Sequence, residues 1–420
     1  MLTATILLQL VIILIVVQLF GALCRRIGQQ WVIGEILAGL ALGPSLLGVL
    51  LPNVKSLLFP LSALPTLQTL GDIGLVLYMF SLGASLDTHM MLRQSRMAVV
   101  TSISGIVLPF LLGVTLAFFL FPSLGGPKAT LISFMLMVGT AMSITAFPVL
   151  ARLLTERKML RTAIGTLALT CAAVDDVLAW CLLALVIVVA HSQSLLSVVL
   201  TVGLTLIFTM CILMGVRPLL ARADQHIRSK QLLMVLGVVL LMLSAYCTGA
   251  IGIHPVFGAF LMGIVLPRKG VFVELVRAFD RISGVLFLPL YFIFSGLRTE
   301  ITLISSPWLW LICLLVLVVA CAGKIFGAIF AMRFMGEGWR NALSLGILMN
   351  TRGLVELIVL NIGLDLGVLS PTMFAIMVIM ALVTTMMVSP LLLLLGYQQK
   401  AYREEDSNDI PDTSTQATAS

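Results

Sequence analysis

Apolar runs of about 20 residues recur along this chain from Ala4 to the neighbourhood of Leu395, separated by short charged or Pro/Gly-containing breaks. Each run is long enough to cross a hydrocarbon core about 30 Å thick as a helix. Hydrophobic residues fill 60% of the 420 positions and charged residues only 10%, unlike a soluble domain. The sequence therefore predicts an all-α integral membrane protein, and its scattered Lys and Arg offer no basic surface for nucleic acid.

We count about thirteen runs, which predict about thirteen transmembrane helices within residues 1–397. The runs begin near Ala4, Val32, Thr69, Ala98, Thr130, Thr162, Leu195, Leu232, Gly249, Ile282, Trp308, Ala342 and Thr372. No Lys or Arg precedes the first run and no cleavage pattern follows it, so we expect a retained helix. Residues 398–420 are polar and predict a disordered tail.

Alternate loops differ sharply in Lys and Arg, as the positive-inside rule requires of a correct topology. One face collects 20 of the 25 basic residues: Arg25, Arg26, Arg93, Arg96, Arg152, Arg157, Lys158, Arg161, Arg217, Arg222, Arg228, Lys230, Arg268, Lys269, Arg277, Arg281, Arg333, Arg340, Lys400 and Arg403. The other face has Lys55, Lys128 and Arg298. We call the first the arginine-rich face. It predicts a plasma (inner) membrane protein with the amino terminus outside and the tail in the cytoplasm.

The odd number of runs and the opposite termini favour two inverted repeats, at about residues 4–190 and 232–395, joined by a linker helix at about 195–216. Run five then corresponds to run twelve. Both are interrupted in the middle, run five at residues 139–148 and run twelve at residues 350–353. Broken helices at matching positions predict a substrate site near the bilayer midplane, where freed backbone groups can coordinate an ion.

Two adjacent carboxylates, Asp175 and Asp176, lie within run six. A charge costs about 2.5–3.5 kcal/mol at a helix centre, so its retention needs a partner or a function. The two side chains lie about 100° apart around a helix, so we expect them to do different jobs. Either can be the carboxylate that binds a proton and a small monovalent cation alternately. The alternative is that the pair only lines an inert, water-filled crevice. A divalent-metal site is disfavoured, because no further His or carboxylate lies at ligand spacing on this helix.

Five other polar residues lie in the apolar runs, and four of them have both a functional and a structural interpretation. Lys324 can be the counter-ion of one aspartate or a lysine that reaches an interface. Arg352 and Glu356, at positions i and i+4, fit a simple pair on one helix face better than direct ion contact. His254 is either a proton relay or, as we favour, a packed, hydrogen-bonded residue. We expect Glu35 near the cytoplasmic interface.

These residues lie in segments that resemble the monovalent cation/proton antiporter superfamily, most closely its CHX- and Kef-type exchangers. The resemblance covers nearly the whole membrane region. It is carried by residues 35–44 (EILAGLALGP), 143–152 (SITAFPVLAR), 174–180 (VDDVLAW), 252–260 (GIHPVFGAF), 323–324 (GK) and 350–360 (NTRGLVELIVL). It implies a NhaA-like fold of inverted repeats with two crossed broken helices, working as a homodimer by elevator-like alternating access.

The resemblance also implies roles for individual residues. Asp176 would bind the cation and the proton in turn, and Asp175 would pair with Lys324. The broken helices would be lined by Thr140, Ser143, Thr145, Thr351 and Arg352, with Glu356 and His254 in support. We expect no cofactor and no metal beyond the transported cation. Many relatives carry a large cytoplasmic domain after the last helix, whereas this chain ends about 25 residues beyond it, so we expect no nucleotide regulation.

The function predicted from these features is the exchange of K⁺ or Na⁺ for H⁺ by a secondary transporter, which is not an enzyme. One alternative is a cation channel or leak that uses the same carboxylates as a static selectivity site. Another is an organic-anion symporter on the same fold, which the negative charge of the site disfavours. The partners are then the cation, H⁺, the lipid bilayer and a second copy of the chain.

Overall fold

The computed structural model describes residues 2–60, 62–85, 95–160, 162–190, 195–252 and 254–396. This part of the chain is nearly all helical and contains no strand, only an isolated bridge between Gly125 and Leu369. The predicted disordered tail, 398–420, lies outside the described residues, as do the four basic residues at positions 93, 161, 400 and 403.

The helices of the first half are α1 Leu2–Arg26, α2 Trp31–Leu42, α3 Leu47–Leu50, α4 Pro52–Leu58, α5 Leu64–Ser85, α6 Ser95–Leu124, α7 Leu131–Ser143, α8 Phe147–Glu156 and α9 Ala163–Ala190. The helices that follow are α10 Leu195–Met210, α11 Arg217–His226, α12 Lys230–Ile251, α13 Pro255–Val265, α14 Val271–Ile282, α15 Leu288–Leu297, α16 Pro307–Phe334, α17 Trp339–Met349, α18 Leu354–Asp365 and α19 Pro371–Leu394. Residues 211–216 and 283–287 are π-helical, and 301–303 form a 3₁₀ turn.

Eleven helices or helix groups of the described chain are long and apolar enough to cross a membrane. Two predicted runs are not among these eleven. Run nine is the short apolar helix α13, and run twelve is divided into α17 and α18. The predicted all-helical architecture is therefore confirmed, and the total of thirteen crossings stays a prediction.

Runs five and twelve are each divided into two short helices, as the sequence predicts. The first break is narrower than expected, since only residues 144–146 separate α7 from α8. Pro148 lies in the first turn of α8, and a helix that continued back from it would lose a hydrogen bond and clash at the carbonyl four residues earlier, that of Ile144. The second break ends at Gly353, whose φ of 149° suits glycine alone. A Cβ there would lie 2.8 Å from Cγ2 of Val149 on α8.

The linker helix is longer than predicted. It continues beyond Val216 through α11 and ends at His226. The predicted end of the linker helix lies directly before Arg217 and Pro218. A proline interrupts an α-helix by removing one N–H and clashing with the carbonyl four residues earlier. Here the preceding turn is π-helical, which accommodates Pro218. A second π-helical turn precedes Pro289, so that α14 and α15 also form one continuous rod.

The helices pack into two groups. The broken-helix group contains α6–α9 and α16–α19, and the flanking group contains α1, α2, α5 and α12–α15. The linker helix contacts both, through α9 and α12. Because each broken helix lies within one group, the candidate site is built mainly from the broken-helix group.

Candidate functional site

The Asp175 side chain is fully buried where α9 passes the two breaks. Its Oδ2 atom accepts a hydrogen bond from the Thr145 hydroxyl at 2.7 Å and lies 2.8 Å from Nζ of Lys324. The structure thus joins three predicted site residues from α9, the first break and α16. Lys324 and Asp175 are both 0% exposed, so the charge of each is offset by the other instead of by solvent.

Lys324 reaches this position because α16 packs closely on α6. Gly323 and Gly327 face that contact, where added Cβ atoms would come within 2.7 Å of Pro109 and 2.8 Å of the Ser104 carbonyl oxygen. The absence of side chains at both positions lets the lysine enter the site. Its Nζ also donates to the carbonyl oxygen of Gly105 at 2.9 Å, which fixes the side chain from a second direction.

Asp176 differs from its neighbour in having no direct partner. The residue is only 6% exposed, and neither carboxylate oxygen has a hydrogen-bond partner among the described residues. The backbone N–H of Phe147, at the start of α8, faces the carboxylate without reaching hydrogen-bonding geometry. A helix amino end favours negative charge and bound anionic groups. Asp176 is therefore held in a favourable field but remains unpartnered.

The two breaks contact each other directly. The backbone N–H of Ala146 donates to the carbonyl of Thr351 at 3.0 Å, and the Thr145 hydroxyl lies 3.0 Å from the carbonyl oxygen of Met349. These contacts use backbone groups that the interrupted helices leave free. The crossing of the two broken helices stays a prediction, whereas their contact is observed.

Arg352 satisfies the carbonyl end of the opposite broken helix. Its guanidinium donates to the carbonyls of Ala141 at 2.7 Å and Met142 at 2.6 Å, in the last turn of α7. The predicted Arg352–Glu356 pair is present as an ion pair with 3.8 Å between Nη1 and Oε1, beyond hydrogen-bonding distance. The backbone of Arg352 is held by the Thr385 hydroxyl. Arg352 therefore caps the carbonyl end of α7, a helix of the other broken run.

The remaining predicted site residues lie at or beyond the breaks. The hydroxyls of Ser143 and Thr351 donate to carbonyls of their own helices, those of Thr140 and Leu348. The Thr140 hydroxyl is buried and has no hydrogen-bond partner among the described residues. His254 is the N-cap of α13, where its Nδ1 accepts from a backbone N–H, a local structural contact.

Sequence reasoning missed two parts of this site. The Gly105 carbonyl leaves no trace in the sequence, because every residue has one. Thr385 did leave a signal, since Thr384-Thr385 interrupts an otherwise apolar run. Glu35 is 0% exposed and paired with Arg152, a partner that the sequence did not indicate, and its expected position near the cytoplasmic interface stays a prediction.

Residues 11–394 match the family described as sodium/hydrogen exchanger, transmembrane. The chain belongs to this family. It is 42% identical over 392 residues to the Na⁺/H⁺ antiporter NhaS4 of Synechocystis, a match that covers 92% of this chain and 96% of that protein. The predicted resemblance to cation/proton antiporters is thereby confirmed.

Longer eukaryotic relatives also match this exchanger. Cation/H⁺ antiporter 17 of Arabidopsis thaliana is 40% identical over 408 residues, covering 95% of this chain and 49% of that protein. K⁺/H⁺ antiporter 1 of Saccharomyces cerevisiae is 33% identical over 398 residues, covering 91% and 45%. The chain thus spans about half the length of these two relatives.

The fold of this exchanger is similar to a solved structure of the sodium proton antiporter MjNhaP1 from Methanocaldococcus jannaschii. The TM-score is 0.70 at 13% sequence identity, over 96% of this chain and 99% of that one. The likeness confirms the predicted helical antiporter fold. With the family and the relatives, it supports cation/proton antiport by a multi-pass membrane protein.

Proposed function

We propose that this chain exchanges a monovalent cation, K⁺ or Na⁺, for H⁺ by alternating access, and that Asp176 binds the two ions in turn. The observation that carries the proposal is the buried Asp176 carboxylate, which has no hydrogen-bond partner in the described part of the chain. Its neighbour Asp175 is already occupied by Lys324.

The charges around the site support this assignment. Lys324 offsets Asp175, and Arg352 offsets Glu356, which leaves the charge of Asp176 without a protein partner. An uncompensated buried carboxylate costs several kcal/mol. Asp176 is therefore stable when it holds either a proton or a cation. Because one carboxylate cannot hold both, uptake of one ion releases the other, which is the requirement for obligatory exchange.

The two faces of the protein differ in a way that supports alternating access. On the arginine-rich face, a cavity of about 590 Å³ separates α8 of the broken-helix group from α5 and α14 of the flanking group. On the other face, Arg298 at the end of α15 pairs with Asp365 at the end of α18, with 2.5 Å between Nη2 and Oδ1. In our proposal, this arrangement is the state that opens toward the arginine-rich face, and movement of the broken-helix group opens the path from Asp176 to the other face.

We further propose that the arginine-rich face is cytoplasmic, in the plasma (inner) membrane, and that two copies assemble. The positive-inside distribution supports the orientation. The exposed apolar face of α1, which includes Leu8, Ile15 and Leu19, is available to lipid or to a second copy. Residues 4–190 and 232–395 remain our proposal for the inverted repeats.

Exchange in proteoliposomes tests the function. Reconstituted wild-type protein should convert an imposed K⁺ or Na⁺ gradient into a pH change, and Asp176→Asn should abolish it because a neutral amide binds neither ion in exchange for the other. Glu300→Gln removes an exposed carboxylate outside the site and should exchange at the wild-type rate. Exchange by Asp176→Asn at the wild-type rate would contradict the assignment. Cation flux without coupled proton movement would indicate a channel instead.

A further inference from the structure

Glu35 is a buried carboxylate that the exchange mechanism above does not use. It lies on α2 of the flanking group and is 0% exposed. Nη1 of Arg152, on α8, lies 3.2 Å from Oε1 and 3.4 Å from Oε2. The other groups that approach Glu35 are Trp31 on its own helix and Tyr78 on α5. The ion pair therefore joins the two helix groups.

Arg152 also has a second carboxylate neighbour. Its Nε atom lies 3.6 Å from Oε1 of Glu156, one turn along α8. A single guanidinium thus lies between two carboxylates, and the three side chains carry one net negative charge. The net negative charge of this cluster can be neutralised by one monovalent cation, beside the guanidinium or in its place at Glu35.

The cluster borders the cavity between the two helix groups. Arg152 and Glu156 line this cavity of about 590 Å³ on the α8 side, and Tyr78, Arg277 and Asp280 line it on the opposite side. The charges of Arg277 and Asp280 offset each other, so the negative balance comes from the cluster around Arg152. The lining of the cavity thus has a net negative charge, whereas the arginine-rich face on which the cavity opens has a net positive charge. A cavity of one charge sign within low-dielectric walls concentrates counter-ions.

Helix α8 connects the cluster to the exchange site. Arg152 follows Phe147 by five residues, which corresponds to about 7.5 Å along a helix. Phe147 is the residue whose backbone N–H faces Asp176. A cation at Glu35 is therefore beside the middle of the short helix α8, whose amino end faces the exchange carboxylate.

We propose that Glu35 is a second cation-binding carboxylate, which holds a monovalent cation on the arginine-rich side before it reaches Asp176. Arg152 occupies the site in the absence of the cation and moves toward Glu156 when the cation enters. This inference rests on the proposed exchange function and adds to it a binding step on one face of the membrane only.

Cation affinity measured separately at the two faces tests the site. Right-side-out and everted membrane vesicles present opposite faces to the medium, so exchange in each gives the apparent KM for K⁺ or Na⁺ at one face. Glu35→Gln should raise KM roughly three- to tenfold at the arginine-rich face and leave it unchanged at the other, by loss of local cation binding. Glu274→Gln, which removes an exposed acid on the arginine-rich face, is the matched control.

The double variant Glu35→Gln/Arg152→Gln separates binding at Glu35 from a general field effect. This double variant has the same net charge as the wild type. It also leaves no buried charge unpaired, so it should fold even if Glu35→Gln alone does not. We expect its KM to stay raised at the arginine-rich face. A wild-type KM there would overturn the site, because the carboxylate would then serve only to neutralise Arg152.

Changes at both faces would also overturn the proposal. An equal rise in KM at both faces would indicate general damage to the transporter. Opposite changes at the two faces would indicate that the pair sets the balance between conformations. The exchange function is tested independently by the wild-type protein and Asp176→Asn, so failure of the Glu35 site and failure of the exchange assignment are distinguishable.

Discussion

The two broken helices differ in how their free ends are satisfied. At the first break, the carbonyl end of α7 receives the Arg352 guanidinium, and the amino end of α8 faces the unpartnered Asp176. At the second break, the Met349 carbonyl lies against the neutral Thr145 hydroxyl, and Glu356 occupies the first turn of α18. The first break therefore keeps one end available for the exchange carboxylate, while the second break provides the charge that stabilises the first.

The two breaks also arise from different residues. The first contains no glycine, and it ends where Pro148, in the first turn of α8, prevents the helix from extending back to Ile144. The second depends on Gly353 in a conformation that other residues rarely adopt. Replacing glycine at the second break should therefore cost more stability than introducing glycine at the first.

Arg352→Gln should have the largest effect, because it leaves two helix carbonyls and Glu356 buried without their cation. Breaking a buried pair by removing one partner costs about 3–5 kcal/mol. We expect a lower unfolding temperature of the detergent-purified protein and loss of exchange. Arg222→Gln, at an exposed position on α11, should change stability by less than about 0.5 kcal/mol. An unfolding temperature equal to that of the wild type would show that the α7 carbonyl end needs no cation.

A second variant shows which partner of Arg352 matters. Arg352→Gln/Glu356→Gln removes the unpaired carboxylate but not the unpaired carbonyls. If capping of α7 is the main role of Arg352, the double variant should recover only part of the lost stability. Full recovery would mean that the arginine serves mainly to neutralise Glu356.

Much of this architecture follows from sequence patterns that reflect local physical requirements. Apolar runs long enough to span a bilayer located the helices, and the polar interruptions at residues 139–148 and 350–353 located both breaks. Charged residues were poorer guides to helix ends. The stretch that contains Arg277, Asp280 and Arg281 is helical, because its charges lie on an exposed face while Phe272 and Leu275 on the same helix are buried.

The contacts within the site could not be obtained in the same way. Helix geometry predicts that Asp175 and Asp176 point in different directions, but which one meets Lys324 depends on how α9 and α16 are placed. The resemblance to known antiporters suggested the order that the structure has. The capping of α7 by Arg352 crosses from one predicted repeat to the other, so spacing along the chain favoured the nearer Glu356 instead.

Gly353→Ala tests the dependence of the second break on glycine. The added Cβ would lie 2.8 Å from Val149 Cγ2, and the backbone would have to keep an unfavourable φ. Such strain costs about 1–3 kcal/mol. We expect a corresponding loss of stability, measured by thermal unfolding, with partial rescue by Val149→Ala. Ala146→Gly at the first break should cost less than about 1 kcal/mol. Equal losses from the two substitutions would remove the proposed difference between the breaks.

Thr145 and Thr351 differ least in their surroundings, because both are buried threonines within a break and only Thr145 touches a site carboxylate. Its one hydroxyl proton lies between two acceptors, Oδ2 of Asp175 and the Met349 carbonyl, whereas the Thr351 hydroxyl donates to the Leu348 carbonyl at the end of α17. Valine keeps the shape and removes the hydroxyl. Loss of a hydrogen bond to a charged group costs about 1.5–3 kcal/mol, so Thr145→Val should slow exchange about tenfold or more in proteoliposomes.

Thr351→Val is the matched control and should slow exchange less than about threefold. The Leu348 carbonyl that loses the hydroxyl still accepts a hydrogen bond from the backbone N–H of residue 351. A larger loss from Thr351→Val than from Thr145→Val would reverse the comparison and place the second break closer to the ion path. Similar small losses from both would mean that Lys324 alone holds Asp175 in place. A selective loss from Thr145→Val would support the interpretation that the first break forms one wall of the exchange site, because its hydroxyl is the contact that joins this break to the Asp175–Lys324 pair.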